Sequence, residues 1–367
     1  MIRSLIIDGY RGFAQFEMQD VVAVNLLVGR NNSGKTSLLE ALLLLAGHGD
    51  PSVLWGAMNR RGERFVLEAR DSRGRYHEID VCHLFHGHKV GIGTAFTITA
   101  TRDDAPQRIS YSIRQAPQQS LPFTEEAEVP AGTMALVIEG GSSKEPTSLE
   151  LTARGGLTFD TIRRNPTRAV RPDELNHINY VGTESMDPEE LGRLWEGVVL
   201  KPEEERIIEA LRTIEPMIER IAFVPSTPRF PRLVDRSGFI VKLSNGEEPV
   251  PIGSMGDGIW RMLALALASS RPQGGLLLVD EIDTGLHYTV MKDMWRLIRT
   301  VSAKFGLQVF ATSHSDDCIQ SLAAICREDS VGPGQVCIHR IEPELGQSIR
   351  FTEPEIIAAA ERRIEVR

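Results

Sequence analysis

The octapeptide GRNNSGKT, residues 29–36, lies between the apolar run VVAVNLLVG and the segment TSLLEALLLLAG. Gly29, Gly34, Lys35 and Thr36 fit the pattern G-x-x-x-x-G-K-[ST] without a mismatch. The run before the loop reads as a buried strand and the run after it as a buried helix. In a strand–loop–helix of this kind, backbone N–H groups ring a phosphate chain at a helix N-terminus. Residues Asn31, Asn32, Ser33, Gly34, Lys35, Thr36 and Ser37 would supply that ring, with Lys35 reaching the β- and γ-phosphates and the Thr36 hydroxyl holding Mg²⁺.

A phosphate loop alone does not separate kinases, GTPases and ATPases; the distal part of the chain does. GGLLLVDEID (274–283) is an apolar strand run that ends in two carboxylates. Asp280 suits a second Mg²⁺ contact made through water, and Glu281 suits the general base for an attacking water. A kinase must exclude that water and has no use for the base. LQVFATSHSDD (307–317) is a further β-rich run reaching His314, which can hydrogen-bond a γ-phosphate. Upstream, SMGDG (254–258) opens the apolar helix IWRMLALALASS. Ser254, Gly256 and Gly258 would leave N–H donors and the positive dipole end free for an anion, unless Ser254 or Asp257 acts as an ordinary N-cap.

The 367 residues are enough for one large or two ordinary domains, and the net charge of -9 argues against a broadly basic nucleic-acid surface. Cys82, Cys318, Cys326 and Cys337 are scattered without a C-x-x-C pair, so neither a disulfide framework nor a zinc site is indicated and a reduced cytoplasmic setting is the default. The N-terminal MIRSLIIDGYRGF carries charges throughout, unlike a signal peptide. The longest apolar run, Leu38–Gly47, is interrupted by Glu40 and falls far below the ~20 residues of a membrane span.

The order phosphate loop, Ser-x-Gly turn, Asp-Glu strand and histidine strand resembles that of ABC-type ATPase heads. Within them the chain is similar to the RecF/SMC/OLD branch. The stretches that carry the likeness are LIIDGYRGF, GRNNSGKTSLLEAL, SMGDG, LLLVDEIDTGLHY and FATSHSDD. They cover the two ends of the chain well and its middle poorly. The resemblance implies an α/β P-loop NTPase with an antiparallel β-lobe and a helical insertion. It implies ATP and Mg²⁺ as cofactors, Arg11 near adenine and ribose, and a head-to-tail homodimer in which Ser254 completes the partner's site. A Q-loop glutamine is also implied; Gln107, Gln115, Gln118 and Gln119 are all conceivable.

Four departures narrow the subfamily. The signature lacks the glutamine typical of transporter cassettes, and the long interval between residues 36 and 254 exceeds theirs. No sustained heptad marks a coiled coil of SMC type. No acidic constellation of a Toprim nuclease follows His314. The closest resemblance is to OLD-like standalone AAA-type ATPases of phage defence, stripped of the nuclease. The implied role is a nucleotide-driven switch or scaffold with a separate effector such as a Toprim-type nuclease. A RecF-like DNA-binding repair ATPase and a nucleotide sensor with negligible turnover are the alternatives.

The expected organisation is a P-loop unit with β-lobe over 1–165, a helical insertion over 166–235, a signature, Walker B and His-switch lobe over 236–345, and a C-terminal helix over 346–367, all one head. Short alternating runs from Phe65 to Asp160 read as an antiparallel sheet. Residues 187–215 read as two helices broken at Pro202, and Thr352 with Glu355 has capping-box spacing. His77, Cys82, His83, His86 and His88 match no standard zinc pattern and read as incidental hairpin residues, with His86 and His88 on one face if the strand continues. Arg163, Arg164, Arg168 and Arg171 read as a solvated loop, with phosphate backbone or an acidic partner as the other possibility.

Overall fold

The computed structural model describes residues 1–68, 75–103, 105–116, 134–141, 145–164, 178–183, 186–225, 238–246, 248–270, 274–328 and 334–367. Arg168, Arg171, Gln118, Gln119 and the His77 side chain lie outside the described residues. The N-terminal part runs β1 (Ile2–Tyr10), β2 (Phe13–Met18), β3 (Val24–Val28), α1 (Lys35–Ala46), α2 (Pro51–Arg60), β4 (Arg64–Glu68), β5 (Arg75–Asp80), β6 (Ala95–Arg102) and β7 (Gln107–Gln115). There follow β8 (Met134–Gly140), β9 (Thr147–Glu150), β10 (Gly156–Thr158), α3 (Phe159–Arg164), β11 (Ile178–Val181), α4 (Pro188–Glu196), α5 (Pro202–Arg212), β12 (Ile218–Val224), β13 (Gly238–Leu243) and β14 (Val250–Pro251). The chain closes with α6 (Asp257–Ser269), β15 (Leu276–Val279), α7 (Tyr288–Phe305), β16 (Gln308–Thr312), α8 (Asp316–Cys326), β17 (Val336–Glu342), β18 (Gln347–Thr352) and α9 (Glu353–Arg362).

A mixed sheet of order β11-β15-β16-β3-β17-β18-β2-β1-β6-β7-β8-β9 organises the molecule. From β11 to β17 its strands are parallel; from β1 to β9 they are antiparallel. The parallel strands are buried on both faces, which is why LLLV reads as an unbroken apolar run and VNLLV departs from one only at Asn25, whose amide is hydrogen-bonded inside. Alternation still sorts their side chains. Leu26 and Val28 join one core with α5 to α8, whereas Leu27 joins the other with α1 and the β-lobe. The same split places Leu277 and Val279 in the first core and Leu276 and Leu278 in the second.

The central strand order brings the C-terminal ends of β3, β15, β16 and β11 to one edge, where ligands of open parallel sheets bind. Helix α1 starts there and is apolar nearly all round; a helix of that kind must be covered on every side.

Several elements differ from the sequence expectation. The β-lobe runs divide between two sheets, because β4, β5 and β10 pair with one another rather than with β6 to β9. The stretch expected as a helical insertion contains β11, an edge strand of the central sheet in register with β15 through Ile178↔Leu276 and Val181↔Val279. Four residues, INYV, carry too little periodicity to announce a strand, and their pairing is entirely non-local. Helices α4 and α5 do break at Pro202, and they pack Leu191, Trp195, Ile207 and Leu211 into the first core. The C-terminal stretch begins with β18, not with helix; α9 follows, its start fixed by Thr352 and Glu355, whose carboxylate accepts from Thr352 N at 2.7 Å.

β17 carries His339, fully buried between β3 and β18, with Nδ1 3.1 Å from Ser348 Oγ. Burial and the facing Arg350 pull its imidazole down to about 3. Unfolded, the ring would take its proton near 6.5, so below that pH the unfolded chain binds one proton more than the folded one. Stability therefore falls on acidification, by ~1.4 kcal/mol per pH unit from this group, until the folded ring itself titrates. His339→Gln removes the titration; an acid-unfolding series followed by circular dichroism should show its midpoint displaced to lower pH than the wild type. Coincident midpoints would deny His339 this part in acid sensitivity.

Candidate nucleotide site

The loop after β3 is set by backbone geometry that few residues tolerate. Gly34 has φ +92°, and a Cβ there would sit 2.5 Å from Cζ of Phe13 on the β1–β2 turn. Gly29 has φ +144° and Asn32 φ +64°. No side chain caps the first turn of α1, so its N–H donors face the cavity. Lys35 is buried, its Nζ donating to Gly29 O at 2.9 Å and Arg30 O at 2.8 Å, so the ammonium closes the loop on itself. Burial pulls Lys35 down to about 8, against the Asp280 and Glu281 carboxylates that raise it.

Opposite the loop, the end of β15 supplies the two carboxylates. Asp280 Oδ1 accepts from Thr36 Oγ1 at 3.2 Å and from Thr312 Oγ1 at 2.7 Å. A hydroxyl and a carboxylate meeting in this way are hard oxygen donors of the kind Mg²⁺ takes, so the residues fit the ion. Glu281 is half-exposed and has a left-handed backbone, φ +46°, which turns its side chain away from the strand line. Its Oε1 lies 4.0 Å from Nε2 of His314, and its Oε2 accepts from Thr284 Oγ1 at 3.3 Å. Burial and the nearby Lys35 charge lower the His314 imidazole, which favours its neutral form.

A residue the sequence reading passed over holds this edge together. Arg261, on α6, donates to the carbonyls of Asp280 at 2.7 Å and Glu281 at 2.8 Å, and to that of Gly182 after β11. The guanidinium thus ties the signature helix to two strand ends and pins the strained Glu281 backbone. Its signal was present but weak: a charged residue among the apolar positions of IWRMLALALASS, all of which are otherwise packed inward.

These groups border a cavity of about 530 Å³ lined by Asn32 to Ser37, Asp280 and His314 on one side and by Glu40, Arg60, Arg61, Glu63, Tyr180, Gly182 and Thr183 on the other. Gly29 and Asn31 line an adjoining cleft beside His314. Arg11 does not reach either cavity. It is buried, with Nε 3.0 Å from Glu40 Oε2 and NH1 2.5 Å from Glu63 Oε1, while Glu40 also pairs with Arg61 at 2.7 Å. The expected contact of Arg11 with adenine and ribose gives way to a supporting position, because two carboxylates hold the guanidinium behind the wall that Arg60 and Arg61 form. Arg60 lies over the Tyr180 ring at 4.3 Å. Gln107 donates to Leu45 O, at the far end of α1, and Gln115 is on β7; neither lines the cavity, and Gln118 and Gln119 lie outside the described residues.

Ser254 and Gly256 are exposed and are absent from the cavity wall; Gly258 is half-buried against the Gly285 carbonyl. Ser254 Oγ donates to Pro251 O at 2.7 Å and caps nothing, and the N-terminus of α6 has no side-chain cap. The N-cap reading of Ser254 and Asp257 is therefore replaced by an uncapped, outward-facing helix start. Among the described residues, no helix is long and apolar enough to cross a membrane.

A family model described as an AAA ATPase domain matches residues 1–92. One described as an AAA domain, putative AbiEii toxin, Type IV TA system, matches residues 137–317. An ATP/GTP phosphatase of Helicobacter pylori is 23% identical over 357 residues, covering 89% of each chain. The DNA replication and repair protein RecF of Actinobacillus pleuropneumoniae is 36% identical over 78 residues, 20% of this chain and 21% of that protein. Among solved structures, an Smc head domain with an extended coiled coil, bound to the C-terminal domain of ScpA and derived from Pyrococcus furiosus, superposes with a TM-score of 0.50, covering 99% of both chains at 14% identity. That likeness speaks to the fold.

Arg261→Met keeps an unbranched apolar stem in place of the arginine's and removes every donor. Three strand-end carbonyls then lose a charged partner, at a cost of ~2–5 kcal/mol in stability, and the Glu281 backbone loses its brace. Thermal melts should show the loss, and turnover of the folded fraction should fall at least tenfold. Unchanged melting and turnover would mean that the guanidinium braces nothing.

Proposed function

Since the chain is an ABC-type ATPase head, an enzyme that hydrolyses ATP, we propose that it works as a nucleotide-driven dimeric switch or scaffold for a separate effector, in anti-phage defence. The observation that carries the dimer is the outward-facing signature. Ser254 and the open N-terminus of α6 present N–H donors that the chain's own cavity does not use. A second copy placed head to tail would bring them onto the γ-phosphate held by Lys35 and Thr36, and two-fold symmetry would complete both sites at once.

In each site Lys35 leaves the Gly29 and Arg30 carbonyls for the β- and γ-phosphates. Thr36 and Asp280 would hold Mg²⁺, which would neutralise phosphate charge. Glu281 takes the proton of a water that attacks the γ-phosphorus, and ADP departs with its β-phosphate oxygen as the leaving group. His314, beside Glu281, donates to the γ-phosphate. Loss of that phosphate removes what joins the two chains, so the dimer opens and the work is delivered as movement. The match to an AAA domain described as a putative AbiEii toxin of a Type IV TA system supports a defence setting. The effector class proposed for it is a separate nuclease of Toprim type. The RecF match supports a second reading, a DNA-binding repair ATPase. Retention on duplex DNA that depends on ATP and falls steeply with salt would favour it; a copurifying protein partner would favour the scaffold.

Glu281→Gln keeps the size of the side chain without its proton acceptor. ATP binding should persist, ATP-bound dimers should accumulate, and turnover should fall ~10²–10⁴-fold. Near-normal hydrolysis would assign the base to another group.

Sharing of the site between chains has its own test. Lys35→Ala and Ser254→Arg should each be inactive. Mixed, they form heterodimers in which one site carries both defects and the other carries none. With random exchange about a quarter of wild-type activity should return if sites act independently. No recovery, with exchange verified by differently tagged chains, would end the shared-site model.

A further inference from the structure

The loop after β5 gathers donors that the nucleotide chemistry does not use. β5 ends at Asp80, and a 3₁₀ turn over Val81–Leu84 replaces the continued strand on which His86 and His88 would have shared a face. Asp80 caps that turn, its Oδ1 accepting from Cys82 N at 3.0 Å, which leaves Oδ2 directed at His83 Nε2, 3.6 Å away. Carboxylate oxygen, Cys82 Sγ and a ring nitrogen of His83 lie within 4.8 Å of one another. Gly87 and His88 then take left-handed φ of 81° and 54°, doubling the chain back. The His88 ring meets that of His83 edge-on, with Nδ1 to Nδ1 at 3.3 Å.

We propose that Asp80, Cys82 and His83 form a binding site for a zinc-class divalent ion, with His88 as a positioning residue. A tetrahedral ion with bonds of ~2.0 Å to nitrogen or oxygen and ~2.3 Å to sulfur sets its donors about 3.3–3.7 Å apart. The Asp80–His83 separation already has this value, and the sulfur lies within 4.8 Å of both donors. Thiolate and imidazole select a borderline-soft cation over Mg²⁺ or Ca²⁺. His88 determines which nitrogen of His83 binds. With its own Nδ1 accepting from His83 Nδ1–H, the Nε2 lone pair of His83 is directed to the ion. Cys82 binds as thiolate and its proton passes to solvent. Three protein donors leave a fourth position to water. Cys82 is half-buried and the His83 side chain is 41% exposed, so the ion has an entry path.

The loop is bonded to the β1–β2 turn through Arg11 N to Leu84 O at 2.9 Å, His86 N to Gly9 O at 2.9 Å and His86 Nδ1 to Arg11 O at 3.0 Å. An ion here would fasten the segment that carries Arg11, and with it the Glu40–Arg61 wall of the nucleotide cavity.

The test uses the full chain, stripped with a chelator and titrated with CoCl₂. A thiolate-to-cobalt charge-transfer band should appear and saturate at one ion per chain, and zinc should displace it; cobalt in the Mg²⁺ position has no sulfur donor and gives no such band. Cys82→Ser should abolish the band, Asp80→Asn and His83→Gln should weaken binding, and His88→Ala should lower affinity 10–100-fold. Cys326→Ser should retain the wild-type signal. No band in the wild type, or an unchanged band in Cys82→Ser, would overturn the site. Should Cys82→Ser fail to fold, the wild-type stoichiometry and the Asp80→Asn titration decide it.

Discussion

The catalytic edge depends on one buried guanidinium. Arg261 makes hydrogen bonds to the carbonyls that end β11 and β15, and one of those carbonyls belongs to Glu281, whose backbone occupies a left-handed conformation. For a residue with a Cβ that conformation costs ~1–3 kcal/mol, and it persists only where neighbours over-determine it. Here Arg261 does so from one side, and the Thr312 hydroxyl, accepting from Glu281 N at 2.7 Å, does so from the other. The same Thr312 hydroxyl donates to Asp280, so the two carboxylates share a support. Because Arg261 is carried by α6, a displacement of that helix reaches Glu281 without passing through the phosphate loop.

A second support lies under the opposite wall. Glu40 is on α1, among leucines, and is 1% exposed. A carboxylate so placed needs cations, and Arg11 and Arg61 supply them from the β-lobe and from the end of α2. Removing either arginine leaves the buried Glu40 carboxylate with a single cation, and removing Glu40 leaves Arg11 with Glu63 alone, so the stability of each member depends on the others. Phe13 against Gly34 provides an apolar counterpart to this linkage, joining the same β1–β2 turn to the phosphate loop.

What the sequence disclosed follows from how local each signal is. The phosphate loop, the acidic strand end and the Thr352 capping box are each encoded within a dozen contiguous residues, and their flanks reinforce them. β11 was invisible because INYV is short and becomes a strand only by pairing with β15. β17 and β18 were missed for a related reason: VCIHRIE and QSIRFT mix charged and apolar residues without clean alternation, and one of them buries a histidine. Arg11 was placed by resemblance alone, and the partners that claim it, Glu40 and Glu63, are far off in sequence. Arg261 looked like a break in an apolar helix; only the fold supplies the carbonyls that explain it. The histidine-rich loop reads as noise in one dimension because its relevant pairing, His83 with His88, depends on two consecutive left-handed residues.

The sheet is continuous in hydrogen-bond order yet mechanically uneven. Its parallel and antiparallel halves join where β18 meets β2, through the register pair Gln347↔Glu17 and a bond from Glu17 N to Gly346 O at 2.9 Å. Elsewhere adjoining strands share runs of four to seven paired residues. What joins the halves is therefore packing rather than ladder: Leu27, Leu278 and Phe310 of the parallel strands share one buried core with α1 and with Ile7, Phe96 and Tyr111 of the β-lobe, and the Gln308 side chain of β16 bonds both ways to the Ile2 backbone of β1. A load on the phosphate loop passes to the β-lobe through α1 and this shared interior, and not along the strands.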